Sequence, residues 1–204
     1  MTPAYPDTPA TVLLADPPWP FRDRLPGKGR GAEKHYTVLA VEAIARFPLP
    51  LLADDALLVL WRVAAMPDEA LLVGRTWGFR PVSEMVWVKT RLCKQHRDRR
   101  VQAADAGLCC PACHSAPFFG MGRTVRACHE TALIAVRGRA SRVVVDHGVR
   151  SVIHAPFRGH SVKPAEVHGA IERLCGPDAV RVELFARRHR PGWACYGDEL
   201  REVI

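Results

Sequence analysis

The stretch Thr11-Val12-Leu13-Leu14-Ala15-Asp16-Pro17-Pro18-Trp19 sets the organisation of the whole chain. An apolar run that ends in a small residue, followed by an acid and two prolines, reads as a buried parallel strand stopping abruptly at its C-terminal end. In open α/β sheets that end is where ligands bind. Both prolines lack an N–H and fix φ, so the carbonyls of Asp16 and Pro17 are expected to stand rigidly beside a carboxylate as free acceptors. A planar amine with two N–H groups suits such a pair of acceptors. Trp19 offers a flat face on which a base could stack. The plainer alternative is an ordinary Pro-Pro turn, with Asp16 as a solvated cap and Trp19 as core.

Working outward, the pattern alternates strand and helix. Val38 to Phe47 has apolar residues at helical spacing and is closed by Pro48 and Pro50, and Ala56 to Trp61 reads as a second buried strand. Pro67-Asp68-Glu69 opens a helix that runs to Trp77 and stops at Gly78, and Val82 to Val88 is a third strand. Thr131 to Val136 is a fourth strand, and Ser151 to His154 a short edge strand. Lys163-Pro164-Ala165-Glu166 starts a helix ending at Gly176-Pro177, after which Val180 to Phe185 forms another buried strand. This order implies right-handed crossovers in a largely parallel sheet, an α/β fold.

The 204 residues suit one domain, 1–204, with no internal repeat or linker. No apolar run reaches the length of a membrane span, and the N-terminus lacks a basic-then-apolar leader, so the expectation is a cytosolic protein with no membrane partner. Net charge is +8, and the sequence pI is near 9.5. Lysine occurs only at 28, 34, 89, 94 and 163, so arginine carries most of the positive charge. Its planar fork suits phosphate, which makes nucleic acid the expected polyanion. Seven cysteines in a cytosolic setting argue for thiols or metal over disulfides.

The Asp16-Pro17-Pro18-Trp19 string resembles the catalytic tetrapeptide of amino-methyltransferases, in particular the adenine-N(6) branch that includes the mRNA adenosine methyltransferases. The resemblance continues in order through His35-Tyr36, Leu58 to Arg62, Trp77-Gly78-Phe79, Val86 to Thr90, His129-Glu130, His160 to Glu166, Ile171 to Leu174, Glu183 to Arg187 and Pro191-Gly192-Trp193. Residues 1–9 and the segment from 91 to about 119 stand outside it. It implies a Rossmann-like class I methyltransferase sheet with permuted modules, the catalytic strand first and the cofactor strand last. It also implies S-adenosyl-L-methionine as cofactor, held without a G-x-G-x-x-G loop.

By that resemblance Arg187, His189 and Arg190 lie near the cofactor ribose, and Asp198 and Glu199 near the ribose or adenine. The last two depart from the amides usual in the family. Lys163, after His160-Ser161, would meet the methionine carboxylate at a helix start, with Asp16 near the ammonium. Asp16, Pro17, Pro18 and Trp19 are the catalytic set, and Tyr36, His129 and Glu130 face the base. The segment Phe21 to Lys34, rich in Gly, Arg and Lys, reads as a lid whose Arg22, Arg24, Lys28 and Arg30 touch phosphate. Trp61, Trp77 and Trp87 read as packing.

An insert, 91–128, carries Cys93-x-x-His96 and Cys110-x-x-Cys113, two pairs that can close one tetrahedral zinc site. Cys109, His114 and Cys128 compete as ligands. The function expected is methylation of the 6-amino group of adenine in DNA. RNA adenosine and cytosine-N(4) methylation are the alternatives within the chemistry, and a catalytically dead nucleic-acid-binding subunit is the alternative outside it. The intact tetrapeptide with Lys163 argues against the last. Homodimers and a heteromeric partner are both left open.

Overall fold

The computed structural model describes residues 5, 7–20, 38–90, 118, 120, 124–159, 162–198 and 200. In chain order the elements are β1 (Ala10–Ala15), α1 (Val41–Ala45), β2 (Leu52–Arg62), α2 (Pro67–Thr76), β3 (Arg80–Thr90), β4 (His129–Arg137) and β5 (Val152–Pro156). They are followed by α3 (Ala165–Cys175), β6 (Arg181–Leu184) and β7 (Ala194–Tyr196), with a short 3₁₀ turn at Ala140–Arg142 ahead of β5. Among the described residues, seven strands form one sheet in the order β5-β3-β4-β2-β1-β6-β7. Pairing is parallel except where β4 meets β2 and β3, so β4 alone is reversed and the expectation of a largely parallel α/β sheet holds.

β1 is central because both its faces are apolar. Val12 and Leu14 join Val59, Trp61 and the α3 residues Val167 and Ile171 on one side. Leu13 and Ala15 join Leu58, Leu60, Ile44 of α1 and Val73 of α2 on the other. A period of two thus feeds two cores, and the helices cover both sheet faces, as a buried parallel strand requires.

Several bounds differ from the sequence reading for identifiable reasons. The helix expected over 38–47 is only Val41–Ala45, because Leu39 N–H donates to Pro18 O at 2.9 Å and ties the preceding residues to the turn after β1. β3 begins earlier, at Arg80, and a register shift between Pro81 and Ser83 accommodates a residue with no N–H to give. β4 begins at His129, so His129-Glu130 lies within the strand and does not precede it. The helix before β6 starts at Ala165 with Pro164 as its cap residue, leaving Lys163 just outside. β6 is not the last strand: the three-residue β7 pairs with it and is too short to show as a pattern. β5 lies at the sheet edge as expected.

Candidate active site

The reversed direction of β4 brings its first residues to the edge where the parallel strands end. β1 runs into Asp16 beside the ends of β2 and β6, through the pairs Ala15↔Leu60 and Ala15↔Leu184. Glu130, second in β4, pairs with Trp87 near the end of β3. From β1 the chain passes to β2 on one side, and from β6 to β7 on the other, so the crevice between β1 and β6 is a topological switch point.

Four charged side chains alternate in sign across this edge. Lys163 Nζ donates to Asp16 Oδ2 at 2.7 Å and lies 3.3 Å from Glu130 Oε2, while Lys89 Nζ is 2.6 Å from Glu130 Oε1. Trp61 lies under the Lys163 ammonium at 5.3 Å, and Trp87 and Phe157 each lie 5.2 Å from that of Lys89. Aromatic faces attract these cations while excluding water on one side. All four chains are largely but not fully covered, Asp16 keeping 24% of its side chain exposed and Lys89 13%.

Burial pushes the Asp16 carboxyl above its ordinary range, against the pull of Lys163 and, more weakly, Arg187. Burial also works on Glu130, but the two lysines outweigh it and hold its pKa below the usual value. Lys163 keeps its charge despite burial, because Asp16 and Glu130 raise its pKa above that of a free lysine.

The turn after β1 is tighter than its sequence suggests. Trp19 N–H donates to Pro17 O at 2.9 Å, so that carbonyl is not wholly free, though an oxygen with two lone pairs can accept again. Trp19 itself is 4% exposed, in the core with Ile44 and Leu60, and its Nε1–H donates to Trp61 O. The expectation that it offers a stacking face is therefore corrected: a ring this large is worth more to the core than to a ligand, and here it anchors the turn. Trp61, Trp77 and Trp87 are buried as expected.

On the cofactor side, Phe185 follows β6 with φ 60, a turn that redirects the chain toward Arg187. Ala186 N–H donates to Tyr196 O, and a Cβ at Gly197 would collide with the Ala186 backbone. Only glycine lets these two loops pack, which brings Asp198 close to the Arg187 segment. His189 and Asp198 are exposed and Arg190 is half-buried. His129 is exposed, pointing away from Glu130 as neighbours on a strand do. Tyr36, Arg22, Arg24, Lys28 and Arg30 lie outside the described residues, as do His160, Ser161, Glu199 and the insert's Cys93, His96, Cys110 and Cys113. Among the described residues no group of three or more His, Cys, Asp or Glu side chains could hold a metal.

Two contributors escape the sequence reading, Lys89 as partner of Glu130 and Trp61 as the platform under Lys163. A lysine ending a buried strand is the available signal for the first. The residues present fit an amino-acid-bearing nucleoside cofactor: Lys163 and Arg187 offer cations for a carboxylate, and Asp16 an anion for an ammonium, at a crevice between parallel strand ends.

The family model described as MT-A70 matches residues 10–107 and 114–199. The match takes in much of the segment from 91 onward that the motif resemblance leaves out, with 108–113 between its two parts. Among curated proteins, the N(6)-adenosine-methyltransferase catalytic subunit METTL3 of Homo sapiens is 31% identical over 196 residues, covering 93% of this chain and 28% of its own length. The N(6)-adenosine-methyltransferase MT-A70-like protein of Drosophila melanogaster is 29% identical, covering 93% and 26%. The N6-methyladenosine RNA methyltransferase MTA1 of Cryphonectria parasitica is 28% identical, covering 93% and 51%. The chain thus spans about a quarter to a half of the length of these relatives. With the family match running through the β1 turn, Glu130, Lys163 and the loop after β6, this chain belongs to the MT-A70 family.

Proposed function

We propose that the protein is an S-adenosylmethionine-dependent methyltransferase acting on the 6-amino group of adenosine in RNA. The observation that carries this is Asp16 at the end of β1, held by Lys163 in a charge-alternating network at the switch-point edge. An aromatic amine is a weak nucleophile because its lone pair is delocalised into the ring. The Asp16 carboxylate and the Pro17 carbonyl, rigidly spaced by two prolines, accept its two N–H groups and turn the lone pair outward. Lys163 fixes the Asp16 rotamer, and Glu130 with Lys89 fixes Lys163. S-adenosylmethionine, when bound, supplies an electrophilic methyl on a sulfonium that leaves as a neutral thioether. The surplus proton on the amine passes to Asp16 or to water, and the raised pKa of Asp16 favours its acting as acceptor.

The motifs do not decide between DNA and RNA; the relatives are named adenosine methyltransferases, one explicitly of RNA, and they support RNA over the DNA expected from the sequence. The human relative's name, a catalytic subunit, supports a heteromeric assembly for this chain as well. The test is incubation with labelled cofactor and matched RNA and DNA oligonucleotides, then nucleoside mass analysis. N(6)-methyladenosine from RNA supports the proposal; N(4)-methylcytosine, or cofactor binding without transfer to any substrate, overturns it.

A further inference from the structure

At the opposite end of the sheet from Asp16, a cleft of about 530 Å³ opens between the end of α2, the start of β3 and the end of β4. Its walls carry Arg75 from the last turn of α2, Arg80 at the first position of β3 and Arg137 at the last position of β4. Register brings the strand pair together, since Arg80 lies opposite Val136, the residue before Arg137. Two glycines turn the chain at its rim. Gly78 turns α2 into β3 with φ 86, and a Cβ there would face Arg137 Nη1 at 3.9 Å; Gly138 turns the chain away from β4 with φ 61.

Arg62, Arg142 and Arg173 are each spent on a carboxylate, Glu84, Asp55 and Asp146 respectively. Among the described residues, Arg75, Arg80 and Arg137 have no carboxylate partner or side-chain hydrogen bond. Beside Gly138 lie the Asp54 backbone carbonyl and the Asp55 carboxylate, and Asp55 is already engaged by the Arg139 N–H at 2.6 Å and by Arg142 at 3.0 Å. Nor do the guanidinium groups cap α2, whose last carbonyls are taken by the N–H groups of Trp77, Gly78 and Phe79. Three unspent forks facing one concave space are suited to an anion with several oxygens, and phosphate matches guanidinium geometry in pairs.

We infer that Arg75, Arg80 and Arg137 form a second anchor for the phosphate backbone of the nucleic-acid substrate, remote from the base that is methylated. The inference rests on the reading of the protein as a nucleic-acid methyltransferase. β4 links the two places: from Glu130 to Arg137 it advances seven residues, about 24 Å at ~3.4 Å each. A stacked strand advances ~3.4 Å per nucleotide, so a strand that stays stacked reaches the cleft from the catalytic edge in about seven nucleotides on one side of the target. Short substrates are methylated without it, and long ones use it.

The test compares wild type with the triple variant Arg75→Gln, Arg80→Gln, Arg137→Gln, with unchanged circular dichroism and melting confirming the fold. Fluorescence anisotropy follows binding of a 20-nucleotide and a 5-nucleotide single-stranded RNA across a salt series, and methylation kinetics follow on both. Expected are a roughly tenfold or larger loss of 20-mer affinity and a log–log salt slope shallower by up to about 2, at ~0.7 for each phosphate no longer neutralised. The KM of the 20-mer rises in step, while kcat and every 5-mer parameter stay at wild-type values. Unchanged 20-mer affinity and slope overturn the inference, as does an equal loss for both lengths, which makes the cleft a local anion site. The anisotropy arm decides the cleft even if wild type methylates neither RNA, an outcome that instead sinks the methyltransferase reading.

Discussion

Asp16 is placed by two constraints of different kinds. Pro17 and Pro18 stiffen the backbone that follows it, while Lys163, from the far end of the chain, holds its carboxylate at 2.7 Å. Asp16→Ala should therefore leave β1 and its two cores intact but lower kcat by about 10²–10³-fold, the scale seen when one oriented polar contact to a reacting group is removed. Turnover at the wild-type rate would rule out the amine-orienting role. Because the Asp16 carboxyl is raised by burial and must be ionised to accept N–H, the acid limb of kcat/KM should fall above the ordinary aspartate range. Glu130 has the opposite sign. Its pKa is lowered on folding, so its stabilisation is complete above the ordinary glutamate value and drains away as pH falls through the lower native value. Glu130→Gln should flatten the loss of stability on acidification over that window, as read by denaturant midpoints at successive pH; an acid profile identical to wild type would show that the two lysines do not stabilise Glu130. Lys163 behaves inversely again, contributing below the ordinary lysine range and losing its contribution only as pH rises through its elevated native value.

The elements explain why these residues meet. β1 is apolar on both faces, and Leu13 at 0% exposure packs against α1 and α2, so Leu13→Ala should cost about 2–5 kcal/mol, seen as a lowered urea midpoint at unchanged m. A loss below about 1 kcal/mol would mean that this side of the sheet collapses to fill the space. α1 is shorter than its apolar pattern because a hydrogen bond from Leu39 to Pro18 competes with helix formation, a tertiary contact overriding local propensity. β3 and β4 are joined through the segment that carries Cys93-x-x-His96 and Cys110-x-x-Cys113, and the latter pair falls in the 108–113 gap of the family match. Most apolar residues of 91–128 are alanines and cysteines, with few large side chains from which to build a core, and metal binding supplies folding energy where apolar burial does not. Elemental analysis should find about one zinc per chain, lost in Cys110→Ser or Cys113→Ser with cofactor binding retained. Metal-free, fully active protein would reduce these pairs to incidental thiols.

For the whole molecule, a net charge of +8 carried mostly by arginine should make nucleic-acid binding strongly salt-dependent, with a log–log slope of at least about −3 if four or more phosphates are neutralised. A flat salt series would show that phosphate neutralisation does not drive binding. Much of the molecule was legible from its sequence: the α/β class, the strand leading into Asp16, and the buried tryptophans at 61, 77 and 87 follow from apolar runs and the turn residues that end them, which are local properties of the chain. The Asp16-Pro17-Pro18-Trp19 string and its ordered companions were legible because they resemble one family's motifs in the same order, and the family match runs through them. The reversal of β4, the three-residue β7, the choice between a stacking and a buried Trp19, and the pairing of Lys163 with both Asp16 and Glu130 were not. Strand direction, side-chain exposure and the meeting of residues 147 positions apart depend on which elements pack together, and only the tertiary structure decides that.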